Sequence, residues 1–415
     1  MKKIKLILFS FIICSLLSGI CEAQWVQVLN GTGNNITASA LAFHGNNIFA
    51  GISYPISHNG VYISTNDGAS WIRTSLNNRN ISAITVNGNN IYAATNGVFL
   101  STDDGTSWIQ TTLNNPNVLS LAVNGNNVFA GTYGNGVYLS ANNGSTWTQT
   151  SLNNRNIKAL TVNGNYIFAG AASYNFDTAT YGVYKSSDNG TTWAQTSLNH
   201  QSIFSLANSG NNIFAGTSNT FNHNGVFLSV DNGITWTQSS LNNQDIYSLI
   251  VNGNNIFAGA GIQVPYSFYL STNNGINWVQ RSDGLPSGYS IISLCIFNNF
   301  IFAGSTHGVY RRQLSELVGI QPISNEVPNQ FSLSQNYPNP FNPTTKIRFA
   351  LPKSSFAILV VYDLLGREME TLVSEQLNAG TYEADWNADK FSSGIYYYKL
   401  VAGDFVETKK MVLIK

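Results

Sequence analysis

The stretch ISAITV-NGNN-IYAAT-NGVFLS-TDDGTS-WIQTTL, residues 81–113, contains four short apolar segments separated by turn-forming residues. Val, Ile, Thr, Tyr and Phe favour strands, and the Asn87-Gly88 pair favours a tight hairpin because both residues accept a positive φ. The Asn-Gly pair returns at residues 124–125, 163–164 and 252–253. The stretch therefore predicts one four-stranded unit, and its recurrence predicts a repeat protein.

Working outward from this unit, two of its strands occur seven times in the chain. The second strand begins at Ile48, Ile91, Val128, Ile167, Ile213, Ile256 and Ile301. The third strand opens at Gly60, Gly97, Gly136, Gly182, Gly225, Ser267 and Gly308. Four-stranded repeats of about 40 residues are typical of β-propeller blades. We expect an all-β fold with seven blades over residues 24–313.

The ending of the unit occurs six times, as Ser-x-(Asp/Asn)-x-Gly-x-x-Trp, and we call these six segments the box turns. The seventh copy stops at Arg312 without a fourth strand, while an unassigned segment from Trp25 to Val28 resembles the missing one. We therefore expect the N-terminal strand to complete the last blade and close the ring, which removes two exposed sheet edges. An open β-solenoid or a pair of sandwiches would leave this segment without a partner.

The third position of the box turns carries a short acid or amide in every copy. These residues are Asn66, Asp103, Asn142, Asp188, Asp231 and Asn273. A side-chain oxygen there can accept N–H groups of its own turn, so we expect a structural role. A repeated acid could also be catalytic or metal-binding, but an active site needs one special residue rather than one in each blade. We expect the tryptophans that follow to pack as core between blades.

The box turns resemble the Asp-box of bacterial neuraminidase repeats, found in propellers such as sialidases, xyloglucanases, sortilin-type receptors and photosystem II assembly factors. The resemblance implies that ligands bind on the face opposite the box turns, where the loops between second and third strands vary most in this sequence. The candidate ligand-binding residues are Tyr54, His58, Tyr133, Tyr174, Asp177, Tyr181, His223, Asp245 and Tyr266. Aromatic rings beside amides suit an extracellular glycan or protein ligand, whereas the alternative is that long loops only shield the ring.

Enzymatic function has weaker support in the sequence. Sialidase chemistry would need an arginine triad and a tyrosine with a glutamate partner, yet the propeller contains no Glu before Glu316. Glycoside hydrolysis needs two carboxylates. Asp177, Asp245 and Asp283 are the propeller's acids outside the box turns, and Asp177 with Asp245 is one such pair. His58 and His223 lack the spacing of metal ligands. We expect a non-catalytic binding protein without cofactor or metal, with a glycoside hydrolase as the alternative.

The N-terminal segment and the overall charge of the chain indicate where the protein is located and which partners it can bind. Lys2, Lys3 and Lys5 precede an apolar run and a small residue at Ala23, which predicts a signal peptide over residues 1–23. Cleavage would leave one cysteine, so no internal disulfide is expected. Charged residues make up 10% and balance to zero, which argues against binding to nucleic acid. We expect a monomer with no membrane segment after cleavage.

We expect a linker over residues 314–330. The sequence pattern of residues 331–415 then differs from that of the repeats. Short alternating strands separated by Gly and Asn turns predict a small Ig-like sandwich. The segments 336–343, 361–367, 386–388 and 393–396 and the basic, apolar ending 409–415 resemble the type A C-terminal sorting domain of the type IX secretion system. The resemblance implies recognition by that machinery and delivery of the protein to the outer-membrane surface or the medium.

Overall fold

The structure is a computed structural model that describes residues 24–29, 36–114, 116–172, 181–218, 224–261, 268–317, 320–324, 327–377, 379–389 and 391–415. The predicted signal peptide lies outside these residues. Within the described residues, the chain up to Gln313 forms seven antiparallel four-stranded sheets. The fold is therefore all-β and propeller-like.

The strands of the first six sheets follow the chain order, and the last sheet joins both ends of the repeat region. Sheet 1 contains β2 (Thr37–His44), β3 (Asn47–Tyr54), β4 (Gly60–Ser64) and β5 (Ile72–Asn77), and sheet 2 contains β6 (Ala83–Asn87), β7 (Asn90–Thr95), β8 (Gly97–Ser101) and β9 (Ile109–Gln110). Sheet 3 contains β10 (Val118–Asn124), β11 (Asn127–Thr132), β12 (Val137–Ser140) and β13 (Thr148–Gln149), and sheet 4 contains β14 (Ile157–Asn163), β15 (Tyr166–Ala171), β16 (Gly182–Ser186) and β17 (Ala194–Asn199). Sheet 5 contains β18 (Ile203–Ser209), β19 (Asn212–Thr217), β20 (Val226–Ser229) and β21 (Thr237–Gln238), and sheet 6 contains β22 (Ile246–Asn252), β23 (Asn255–Ala260), β24 (Phe268–Ser271) and β25 (Val279–Gln280). Sheet 7 contains β26 (Ile291–Phe297), β27 (Phe300–Ser305), β28 (Gly308–Gln313) and β1 (Val26–Leu29).

Neighbouring sheets are matched in shape along their second strands. The box glycine of one sheet lies against the buried aromatic ring of the preceding sheet, so a Cβ on Gly105 would approach Phe49 to 2.8 Å and one on Gly190 would approach Phe129 to 2.6 Å. Box glycines also have positive φ, +79° at Gly105, a conformation that strains other residues. The glycine of the box is therefore required both by the turn and by the seam.

A second glycine, at the end of the Ile-Phe-Ala-Gly segment, lets the next sheet approach closely. A Cβ on Gly170 would lie 2.5 Å from Cγ2 of Ile203, the first residue of the next sheet's β18. The same close contact pairs Gly51 with Ile81, Gly216 with Ile246 and Gly259 with Ile291. The repeated Gly and Ile positions are therefore complementary shapes across the seams between sheets.

The N-terminal strand β1 pairs antiparallel with β28, Val26 opposite Arg311 and Gln27 opposite Tyr310. Trp25 is 3% exposed. Its indole N–H donates to the Arg281 carbonyl over 3.0 Å, and its ring meets Phe268 edge to face at 4.8 Å. On the inner side, the Ser293 hydroxyl of sheet 7 donates to the Ala38 carbonyl of sheet 1 over 3.0 Å. The first and last sheets are thus in direct contact.

The box tryptophans differ from the core position expected of them. All six are half-buried at the edge of the apolar clusters, and five donate the indole N–H to the carbonyl of their own box glycine over 3.0–3.1 Å: Trp71, Trp108, Trp147, Trp193 and Trp278. Each ring therefore covers its own turn. In every one of the seven sheets the second strand carries a fully enclosed aromatic residue, such as Phe129 and Phe168.

The C-terminal part contains two further four-stranded sheets around one apolar core. A helical turn, α1 (Leu314–Leu317), precedes them. One sheet has the order β29 (Ile320–Ser324), β34 (Gly380–Asn387), β31 (Thr344–Leu351) and β30 (Ser332–Leu333), and the other β33 (Glu368–Leu377), β32 (Ser355–Tyr362), β35 (Gly394–Ala402) and β36 (Phe405–Leu413). Trp386, Tyr398 and Phe349 are enclosed in the core. In contrast to the patternless linker expected over 314–330, β29 already belongs to this unit.

Candidate functional site

The propeller has two distinct faces because successive strands of each sheet are antiparallel. The turns between first and second strands share one face with the box turns: the Asn143 N–H donates to the Asn126 carbonyl, and the Asn232 N–H to the Asn211 carbonyl, each over 3.0 Å. We call this the box face. The opposite face, which we call the loop face, contains the residues between second and third strands and those that lead from each fourth strand to the next sheet.

On the box face, the acid or amide of every box turn is bonded within its own turn. In sheet 2, Oδ1 of Asp103 accepts the Ser101 hydroxyl over 2.8 Å and the Ser107 N–H over 2.9 Å. In sheet 1 the amide of Asn66 accepts the Ser70 N–H over 2.9 Å and donates to the Ser70 hydroxyl over 2.9 Å. The same pattern holds for Asn142, Asp188, Asp231 and Asn273. Asp and Asn are interchangeable here because the turn needs an acceptor oxygen, not a charge.

These hydrogen bonds also hold the box carboxylates in the ionised form. The Thr192 hydroxyl and N–H lower the pKa of Asp188 to about 2, and Thr235 does the same for Asp231. Ser107 lowers the pKa of Asp103. Acids fixed in this way are poor proton donors at neutral pH. Among the residues that the structure describes, no group of three or more His, Cys, Asp or Glu side chains could hold a metal ion.

The loop-face candidates divide by exposure. Tyr54 and Tyr133 are 62% and 46% exposed and belong to sheets 1 and 3. His58 is half-buried, its Nδ1 lying 2.8 Å from the Ser57 hydroxyl. Tyr181 and Asp245 are buried, so they offer little surface to a ligand. The structure does not gather the five into one cluster, and the two open rings are separated by a whole sheet.

The other four candidates are Tyr174, Asp177, His223 and Tyr266, which lie outside the described residues. The carboxylate pair of Asp177 and Asp245 expected of a hydrolase has no described geometry for the same reason. The prediction of ligand contact stays a prediction for all four.

At the centre of the propeller lies a cavity of about 220 Å³ lined by the first strand of every sheet. One ring around it is uniform, and we call it the aliphatic ring: Leu41, Ile84, Leu121, Leu160, Leu206, Leu249 and Leu294. Seven equivalent aliphatic side chains are what a repeated fold requires to fill its axis. The aliphatic ring therefore forms an apolar layer around the channel.

Two residues earlier in each first strand, and so closer to the loop face, the lining differs in almost every sheet. This variable ring contains Ser39, Ser82, Leu119, Lys158, Phe204, Tyr247 and Ile292. In six sheets the pairing with the second strand shifts register at this residue, which is the mark of a β-bulge. Bulges re-aim single side chains and recur beside binding sites.

Sequence reasoning missed the variable ring because it searched the loops and treated first strands as scaffold. The available signal was the contrast between Lys158, Phe204 and Tyr247 and the smaller or aliphatic residues of the other repeats. Aligning the first strands on the Asn-Gly turns would have exposed it.

Comparison with known proteins bears on both units. The family profile of the DUF6242 beta propeller domain matches residues 24–245, and that of the secretion system C-terminal sorting domain matches residues 335–415. No curated protein matches the chain. No helix of the described residues has the length and apolar content needed to cross a membrane. The sorting domain indicates export to the cell surface or the extracellular space.

Three solved structures of similar fold are distant from this chain in sequence. PorZ, a surface component of the type IX secretion system of Porphyromonas gingivalis, aligns with 16% identity and a TM-score of 0.57 over 92% of this chain and 60% of PorZ. YCF48 from Cyanidioschyzon merolae aligns with 14% identity and a TM-score of 0.54 over 71% of this chain and 99% of YCF48. The designed protein Ika8 aligns with 13% identity and a TM-score of 0.50 over 69% of this chain and 99% of Ika8. The chain thus spans about 60% of the length of PorZ, and these likenesses concern the fold alone.

Proposed function

The chain belongs to the DUF6242 β-propeller family, and we propose that it is a non-catalytic binding protein, exported by the type IX secretion system, whose loop face recognises an extracellular glycan or protein. The sorting domain supplies the signal for export. The propeller supplies a rigid platform for recognition.

The observation that carries the binding role is the difference between the two faces. The box face repeats one hydrogen-bonded turn in six sheets with the same bond pattern. The loop face changes its residues from sheet to sheet, with Tyr54 and Tyr133 exposed and the variable ring at its centre. Uniform residues serve the fold, and diverse residues on a rigid scaffold are where binding usually occurs.

The proposal includes a closed ring of seven blades with Asp-box turns, followed by an Ig-like sandwich. Support for closure comes from the pairing of β1 with β28 and from the Ser293 bond to Ala38. Support for the sandwich comes from its two sheets sharing one core. A closed ring would hold the loop face fixed, and among the described residues Cys295 is buried and free of a disulfide.

Binding is favoured over hydrolysis by the placement of the acids. The box carboxylates are bonded within their own turns, and Asp245 is buried. YCF48, a propeller of similar fold, was solved bound to the D1 peptide. A protein of similar fold can therefore present a peptide-binding surface.

The experiment that tests this function is a binding screen of the secreted protein against glycan arrays and envelope proteins of the producing cell, with hydrolysis products measured in parallel. The proposal expects at least one saturable ligand and no cleavage. Cleavage of a bound glycan would instead support the hydrolase, and the absence of any ligand would leave the propeller as a spacer and refute the binding role.

A further inference from the structure

The inference concerns the variable ring, where three consecutive sheets place a cation and two aromatic rings side by side. Lys158 comes from sheet 4, Phe204 from sheet 5 and Tyr247 from sheet 6. The Lys158 ammonium lies 5.8 Å from the centre of the Phe204 ring, and the Phe204 and Tyr247 rings meet edge to face at 5.5 Å. All three side chains are half-buried and line the cavity.

The rest of the cavity wall has a different character. Lys158 is the single charged side chain among the described residues that line the cavity. The aliphatic ring lies directly beneath, so one side of the site is apolar. The half-buried Tyr247 packs against Gly261, whose Cβ position lies 2.7 Å from the Tyr247 ring. Desolvation, with the Asp245 carboxylate nearby, raises the pKa of Tyr247. Its phenol therefore stays neutral and can both donate and accept hydrogen bonds at neutral pH.

The geometry points to a ligand site, formed by Lys158, Phe204 and Tyr247, for the carboxylate of a uronic-acid sugar. The lysine attracts the carboxylate in a cavity where screening by water is reduced. The two rings offer apolar surface to the sugar ring, and the phenol and the Ser82 hydroxyl are within the same lining for its hydroxyl groups. The site deepens the proposed binding function and depends on it.

The size of the cavity restricts how such a sugar enters. A volume of about 220 Å³, bordered on one side by the apolar aliphatic ring, suits one sugar residue at the end of a chain. We therefore expect recognition of free uronic acid or of the end of an acidic oligosaccharide. Titration with both, at equal concentration of carboxylate, separates these two sources.

The test is calorimetric titration of the secreted full-length protein with glucuronate and with its neutral analogue glucuronamide. Glucuronate is expected to bind at least about tenfold more tightly, and added salt is expected to reduce the difference. Lys158→Gln should remove the preference by about the same factor. Lys158→Leu, which installs the residue that sheet 3 has at position 119, should do the same in a protein that circular dichroism shows to be folded.

Lys185→Gln is the matched control, because the Lys185 ammonium also lies over an aromatic ring, 3.9 Å from the centre of Tyr166, but bonds to the box-face carbonyl of Asn232. It should leave glucuronate binding unchanged. Equal binding of glucuronate and glucuronamide, or full binding by Lys158→Gln, overturns the site. If other ligands from the screen still bind, the proposed function stands without it; if acidic peptides compete and uronates do not, the ligand class is wrong.

Discussion

Replacing Gly170 by alanine tests the seam between sheets 4 and 5. The added Cβ would lie 2.5 Å from Cγ2 and 2.9 Å from Cβ of Ile203, which is fully buried. Ordinary contacts between such carbons are about 3.5–4.0 Å, so either the seam opens or Ile203 moves. Overpacking of this kind lowers the free energy of unfolding by about 1–3 kcal/mol. The backbone itself is no obstacle, because the φ of Gly170 is not positive.

A double-mutant cycle assigns the effect to this contact. Ile203→Ala alone should cost about 2–5 kcal/mol, and it should cost less by about 0.5–3 kcal/mol when Gly170→Ala is present, since the new methyl group fills part of the space. Urea unfolding followed by tryptophan fluorescence measures all three variants. Gly394→Ala is the control, because its Cβ would meet only the Ser392 carbonyl oxygen, at an ordinary contact distance of 3.9 Å. Additive costs, or a Gly170→Ala protein as stable as the parent, would refute the packing described.

Three further perturbations test the completion of sheet 7 by the N-terminal strand, the hydrogen bonds of the box turns and the role of the C-terminal sorting domain. Trp25→Ala should lower the unfolding free energy by about 3–5 kcal/mol and the exposed Val26→Ala by less than about 0.5 kcal/mol; equal losses in the same urea titration would argue against a ring-completing strand. The stability that Asp188 and Asp231 contribute is present above their unfolded pKa of 3.8 and is lost as the pH falls towards about 2; the double Asp→Asn variant should lose less stability over that range, and an unchanged acid profile contradicts this. Deleting residues 320–415 should stop surface delivery, measured by cell fractionation, and leave a folded propeller. Normal delivery of the shortened protein would show that the export signal lies in another part of the chain.

Much of the propeller could be predicted because its strands are local and repeated. The Asn-Gly turns fix hairpin registers, and each of the seven second strands begins one residue before the start that the sequence predicts. The half-buried tryptophans were predicted less well, because burial depends on how neighbouring sheets pack, and here the second-strand rings take the enclosed position. Strand β29 was missed for a related reason: it pairs with β34, about 60 residues later in the chain, and carries no local turn signal.

The candidate site was harder to predict than the fold. Tyr181 and Asp245 occur in segments that the sequence predicts to be exposed loops, yet both are buried. Their burial could not be predicted because packing within a loop produces no periodic pattern in the sequence. The variable ring arises from register shifts at residues such as Lys158 and Phe204. A shift of one residue decides which side chain faces the channel, and it becomes visible only when strands are paired.

The most direct test of the account compares the two faces in one binding measurement. The secreted protein, a loop-face variant with Tyr54→Ala and Tyr133→Ala, and a box-face variant with the exposed Ile234→Ser and Ile276→Ser are titrated with the ligand from the screen. The account predicts weaker binding by about 1–3 kcal/mol for each ring that is a buried anchor, and unchanged affinity for the box-face variant. Loss of binding in the box-face variant, with the loop-face variant unaffected and both folded, would contradict the assignment of the loop face as the binding surface.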